Sequence, residues 1–254
     1  SIEGRETKAR REMINHDEEI KRQFSLQAAR FGEQGLTLSS AEYLEWVVSQ
    51  LALNPSFVVL DVAAGTGHLG RAIAPYVQRV VAVDLTPAMI AEGQREASGA
   101  DLRNIVFEQG RAENLSYADN SFDMVVTRLS LHHFVDPQPA VLEMARVCKP
   151  GGQVGIMDMT SPDDAAMAPA YNRLERLRDP SHTRCLTRDE LCRRMEEAGL
   201  KIVQVVAREI EVDLVRWWEM TGTGPGARRM IHDELTQELR GERVTGMRPF
   251  MRND

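Results

Sequence analysis

The run VVLDVAAGTG at Val58–Gly67, followed by VVAVD at Val80–Asp84, constrains this chain more than any other feature. Phe57–Leu60 are apolar without polar alternation, as a parallel strand covered on both faces requires. Gly65 and Gly67 then permit a sharp turn and leave no Cβ between the backbone and a ligand. A helix from about His68 to Tyr76 carries the chain back to a second buried strand at Val80–Asp84. Asp84 ends that strand, where a carboxylate can accept hydrogen bonds from a ribose.

Gly65, Gly67 and Gly70 also fit the dinucleotide fingerprint G-x-G-x-x-G. A dinucleotide site needs bare backbone beneath a pyrophosphate at a helix N-terminus. Asp61, ahead of the first glycine, would repel that phosphate and suits a ligand carrying a cation.

Strands and helices alternate along the rest of the chain. Strands are expected at Ile105–Glu108, Phe122–Thr127, Gln153–Met159 and Lys201–Arg208. Helices are expected at about His16–Arg30, from the Ser39–Ser40 cap to Leu51, and from Thr86 onward. Further helices follow at Pro139–Cys148, Asp163–Arg178, Thr187–Ala198, Leu214–Met220 and Gly226–Arg240. The expected fold class is α/β, a doubly wound Rossmann-like, mostly parallel sheet with helices on both faces. An N-terminal helical lid and extra C-terminal helices complete it. Ser1–Arg5 reads SIEGR, which contains the factor Xa recognition sequence and is taken as a tag remnant. Residues 6–53 are read as a helical cap, 54–210 as the ligand-binding core and 211–254 as a helical extension. A seventh strand has only one weak candidate, Met247–Met251, with Pro249 inside it.

A net charge of −7 argues against a nucleic-acid surface, which needs clustered Lys and Arg. Cys148, Cys185 and Cys192 have no metal-ligand spacing, so ordinary thiols and no metal site are expected. With no long apolar run and a polar, charged N-terminus, neither a membrane span nor a signal peptide is expected, and the protein is expected to be cytoplasmic. Oligomeric state is left open, a homodimer being one alternative.

The turn D-x-A-A-G-T-G resembles motif I of the class I S-adenosylmethionine (SAM)-dependent methyltransferases. SFDMVVTRLSLHHF (Ser121–Phe134) and KPGG (Lys149–Gly152) are similar to segments of the ubiquinone/menaquinone biosynthesis C-methyltransferases and their small-molecule relatives. The resemblance implies SAM as cofactor, S-adenosyl-L-homocysteine as product and a small-molecule methyl acceptor. It puts Asp61, Ala63, Gly65, Thr66 and Gly67 against the methionine part of SAM, with Asp84 on the ribose hydroxyls. Leu85 and Met89 would flank the adenine, and Thr127 would border the cofactor. The family usually has an Asp beside the adenine where this chain has Arg111, which cannot accept a hydrogen bond. Ala112 is therefore the expected contact there, and either Glu113 substitutes as acceptor or stacking and backbone alone hold the adenine.

Methyl transfer needs alignment of the nucleophile with the methyl carbon, and a base where the nucleophile carries a proton. His132 and His133 follow the fourth strand, at the end where doubly wound sheets bind ligands. They are the candidate catalytic residues, His133 slightly preferred, although both could instead only cap and pack that turn. RDPSHTR (Arg178–Arg184) offers Arg178, His182 and Arg184 to an anionic or carbonyl-bearing acceptor, unless it is merely loop structure. Phe24 and Phe31 either close over the pocket as a lid or simply pack the amphipathic helix onto the sheet. Trp217, Trp218 and Met220 read first as core and second as a pocket lining. The expected activity is methylation at carbon or oxygen of a quinol, phenol or natural-product-like acceptor. An N-methyltransferase and a non-catalytic SAM-binding protein are the alternatives.

Overall fold

The computed structural model describes the backbone of residues 2–31 and 40–252, and the side chains of 14–28 and 40–252. Two helices, α1 (Ile2–Phe31) and α2 (Ala41–Ser49), lead into β1 (Val58–Val62). Then follow α3 (His68–Ile73), β2 (Arg79–Asp84), α4 (Pro87–Gly99), β3 (Ile105–Gln109) and β4 (Phe122–Arg128). The chain continues through α5 (Gln138–Val147), β5 (Cys148–Met157), α6 (Ala168–Arg178), α7 (Arg188–Glu197), α8 (Leu214–Met220) and α9 (Pro225–Leu239). No helix among the described residues is long and apolar enough to cross a membrane.

The strands form one sheet in the order β3-β2-β1-β4-β5, with every pairing parallel. Period-two alternation divides their side chains between two cores. Val59, Val80, Ala82, Met124 and Val126 pack on one face with Leu69 and Ile73 of α3. Leu60, Val62, Val81, Val83 and Val125 pack on the other with Ala140, Met144 and Val147 of α5. Strand order reverses between β1 and β4, and the crevice beyond their carboxyl ends is where open α/β sheets hold ligands.

Close packing ties the β1 turn to its surroundings. A Cβ on Gly93 of α4 would lie 2.4 Å from the Phe107 ring and 2.8 Å from the Thr66 carbonyl oxygen. Gly93→Ala is therefore expected to destabilise the fold by about 1–3 kcal/mol through overpacking. An unchanged urea-unfolding midpoint would show that the Thr66 turn and Phe107 move aside freely.

Two expectations are corrected at the far edge. The Lys201–Arg208 segment forms no strand; residues 201–213 make no ladder, and Val203 is 86% exposed. It runs past α2 instead, where Gln204 bonds Gln50 and Arg208 pairs with Glu42 and lies over the Trp46 ring. Met247–Met251 forms no strand either. Arg248 and Arg252 are tied to Glu209 and Glu211 by ion pairs, and Pro249 cannot donate to a ladder. An apolar alternation becomes a strand only when a neighbour takes up its N–H and C=O groups. The KPGG turn also differs from expectation: β5 begins at Cys148 and carries an irregularity opposite Phe122–Met124.

Candidate active site at the carboxyl end of the sheet

The turn after β1 is built from left-handed residues. Ala63 has φ 52°, Gly65 φ 58° and Gly67 φ 76°, so a non-glycine residue is held in a conformation that glycine accepts more readily. Leu129, just past β4, has φ 52° as well. Strained backbone at both sides of the crevice fits a functional site. A Cβ on Gly67 would strike Phe107 at 2.6 Å, whereas the corresponding space at Gly65 is open.

Both acids brace this turn from within. Asp84 accepts from the Gly65 amide at 2.8 Å with one oxygen and from the Thr86 amide at 2.8 Å with the other. Burial raises its pKa against those hydrogen bonds. Asp61, 1% exposed, accepts from the Gly70 amide at 2.8 Å. Burial first, and the nearby Asp84 charge in addition, push its carboxyl up to about 7. Stability gained from that proton is present below the ordinary carboxylate range and is lost as pH rises through about 7. Asp61→Asn, which cannot ionise, is expected to gain about 1–3 kcal/mol on wild type between about pH 5 and about pH 8. Urea unfolding of both proteins at the two pH values measures this, and a pH-independent difference would contradict it.

The other expected cofactor contacts lie at or past the carboxyl ends of β2, β3 and β4, with differing freedom. Thr127 donates to the Val62 carbonyl at 2.7 Å and meets Ser130 at 2.6 Å, so its hydroxyl crosslinks β4 to β1. Met89 is 1% exposed, Ala112 is buried, and Leu85 and Glu113 are half-buried. Arg111 pairs with Glu113 and with Asp17 of α1, which ties the helix to this end of the crevice.

The paired histidines and the RDPSHTR loop come together at the other end. His132 and His133 form a 3-10 turn after β4, both buried. The amides of Thr183 and Arg184 donate to the His132 carbonyl at 2.8 and 3.1 Å. Ring centroids lie 4.2 Å apart for His132–His133 and 5.3 Å apart for His132–His182. Arg178 is buried beside Glu175 and over the Trp217 ring, whereas Arg184 pairs with Glu190 towards the surface. Trp217 itself packs with Leu174, Ile231 and Leu235 in a small satellite core.

Hydrogen bonds assign a different proton state to each imidazole. His132 Nδ1 lies 2.5 Å from Asp158, whose other oxygen accepts from the His132 amide at 3.2 Å. Burial alone would lower the His132 pKa, but the Asp158 charge and hydrogen bond outweigh it and raise the pKa. Asp158 is held below its usual range by the same pairing, against burial. Ser181 donates its hydroxyl proton to Asp179 at 2.6 Å, so it turns a lone pair to His133 Nδ1 at 3.1 Å. The Ser181 carbonyl also faces that nitrogen at 3.1 Å. Two acceptors require His133 to carry its proton on Nδ1, leaving a lone pair on Nε2. Burial, with the charge on His132, pushes the His133 pKa down to about 3, so the ring is neutral. Asn172 Oδ1 accepts from the Cys185 amide at 2.7 Å and hence also from His182 Nε2 at 3.2 Å. His182 is neutral too, its Nδ1 buried without a protein partner.

Helix α1 lies across this cluster. His16 bonds the His133 carbonyl at 2.6 Å, and Phe24 meets the His133 ring edge-on at 5.0 Å. Gln23, Gln27 and Ala28 are buried beneath the same helix. Phe31, the second expected lid residue, has its side chain outside the described residues.

A family model described as a methyltransferase domain matches residues 60–156. The uncharacterized methyltransferase YcgJ of Bacillus subtilis is 43% identical over 126 residues, 50% of each chain. The YcgJ crystal structure aligns with TM-score 0.73 at 32% identity, covering 76% of this chain and 82% of that one. The chain belongs to the class I SAM-dependent methyltransferase family. A provisionally assigned methyltransferase of Bacillus halodurans aligns with TM-score 0.71 at 30% identity, over 77% of this chain and 85% of its own. The ubiquinone/menaquinone biosynthesis C-methyltransferase UbiE of Coxiella burnetii is 32% identical over 162 residues, 61% of this chain and 65% of that protein. By sequence, the chain spans about half the length of YcgJ.

The motif I turn of this methyltransferase-family chain fits SAM on its own geometry. Space is open where Gly65 lacks a Cβ, and the Thr66 hydroxyl is buried without a protein partner. The raised Asp61 carboxyl would return to its anionic form beside a cationic ligand. Among the described residues, no three His, Cys, Asp or Glu side chains are arranged to hold a metal ion. Asp158, Asp179, Ser181 and Asn172 escaped sequence reasoning. Only Asp158 carried a signal, an acid just past the carboxyl end of a strand, close to the rule that singled out Asp84.

Proposed function

We propose that this chain transfers a methyl group from SAM to a carbon or oxygen of a small-molecule acceptor. One observation carries the reading: a neutral His133, with its Nε2 lone pair left over, stands at the β4 end of the same crevice as the motif I turn. When bound, SAM supplies a sulfonium-activated methyl group that needs no further electrophilic activation. The Gly65–Gly67 backbone, Thr66 and Asp61 would hold its methionine part, Asp84 its ribose, and Leu85 with Ala112 its adenine. His133 would take the proton of the attacking group, and α1, through Phe24, would close over the acceptor and exclude water. Similarity to the C-methyltransferase UbiE favours carbon among the two acceptor atoms.

Calorimetry with SAM, followed by S-adenosyl-L-homocysteine release on a panel of phenols and quinols, tests the proposal. Binding with turnover on at least one of them is expected. Absence of SAM binding, or turnover confined to amines, would sink it.

A further inference from the structure

Two adjacent histidines are held here in opposite chemical roles, and neither role uses the ring's Nε2. Asp158 accepts hydrogen bonds from His132 Nδ1–H and from the His132 amide, which fixes the ring's position and favours the doubly protonated form. The Ser181 hydroxyl, its own proton given in a hydrogen bond to Asp179, and the Ser181 carbonyl accept from His133 Nδ1–H, which leaves Nε2 as an acceptor. Charged or titratable groups acting on the pair include Asp158 past β5, Glu175 and Arg178 of α6, and Asp179 and His182 of the loop. Neighbouring titratable groups whose surroundings push them apart are a common acid–base arrangement. Among the described residues, no protein group bonds either Nε2. Phe24 meets His133 in a T-shaped contact at 5.0 Å, so an aromatic surface borders this ring.

We propose that the acceptor carries two neighbouring oxygens: a hydroxyl that gives its proton to His133 Nε2, and a second oxygen that accepts from His132 Nε2–H. Vicinal hydroxyls on an aromatic ring, or an enol beside a carbonyl, present two such oxygens side by side, as the two imidazoles themselves stand side by side with centroids 4.2 Å apart. This rests on the methyltransferase reading of the site. The acceptor O–H bond breaks and its proton passes to His133. The released electron pair forms the bond to the methyl carbon, from the oxygen or from the ring carbon conjugated with it; on the carbon route the C–H bond at that carbon then breaks, its pair restores the ring and its proton goes to the acceptor oxygen. Bound SAM would supply that methyl and leave as S-adenosyl-L-homocysteine with the pair on sulfur, and His133 would return the proton to water. Asp158, Asp179 and Ser181 are positioning residues.

The test needs no turnover. The protein without SAM is titrated with 4-nitrocatechol and 4-nitrophenol, whose anions are read by absorbance. Nitrocatechol is expected to bind as its anion about tenfold tighter than nitrophenol, as a second, charge-assisted hydrogen bond implies. Asp158→Asn should abolish that preference while leaving nitrophenol binding unchanged. Equal affinities in the wild type, or a preference that survives in Asp158→Asn, would overturn the proposal. Should Asp158→Asn fail to fold, long-range proton–nitrogen spectra of the wild type decide. They must show His133 protonated on Nδ1 alone and His132 on both nitrogens near neutral pH; any other pattern overturns it. SAM calorimetry on the same preparations separates the two levels. SAM binding without the nitrocatechol preference defeats this inference alone, whereas loss of SAM binding defeats the methyltransferase reading beneath it.

Discussion

Asp84→Ala is expected to weaken SAM binding by about 3 kcal/mol, about a hundredfold in Kd. The loss has two sources. Two ribose hydroxyls lose their charged acceptor, and the Gly65 and Thr86 amides lose the oxygens that fix the turn. An unpaired buried donor costs more than the bond itself contributed, because its hydration is not recovered. Asp84→Asn separates the two sources, since its one remaining carbonyl oxygen can still serve one of those amides. Calorimetry with SAM and with S-adenosyl-L-homocysteine, on variants shown to be folded, makes the measurement. Unchanged affinity in folded Asp84→Ala would remove the ribose from the end of β2.

His133→Ala is expected to lower kcat by about a hundredfold to ten-thousandfold, the usual range for loss of a positioned base. SAM affinity should stay within about threefold, because the motif I turn is untouched. The pH behaviour follows from the depressed pKa. With His133 near 3, its base form is present throughout the neutral range, so the wild-type rate should show no step at the ordinary imidazole pKa. The deficit of the variant should shrink at higher pH, as the acceptor ionises without help. A deficit constant with pH would leave His133 a packing role only. A wild-type step near the ordinary imidazole pKa would instead place the titrating group elsewhere.

Much of the proposed cofactor half of this site is legible along the chain because it is local. Asp61, Gly65 and Gly67 sit in one strand–turn segment, and Asp84 ends the next strand, so strand register alone brings them together. The acceptor half is assembled from distant segments. Ser181 reaches His133 across 48 residues, and His16 reaches the His133 carbonyl across 117. The preference for His133 over His132 needed more than the pair itself. It rests on which acid or hydroxyl faces which ring, and Asp158 is one of three acids that follow β5 (Asp158, Asp163, Asp164).

Hydrophobic period and glycine spacing alone determined the α/β class, the first five strands and the sheet end proposed to hold the cofactor. Those signals report how each segment buries its own side chains, which is a local property. The tertiary structure alone decided that the Lys201–Arg208 alternation stays outside the sheet, since strand formation depends on a neighbour's hydrogen bonds. It alone decided that Arg184 serves Glu190 while His182 joins the cluster. It alone decided the proton states of three histidines identical in sequence chemistry, because burial and partners, rather than residue type, set where each proton rests.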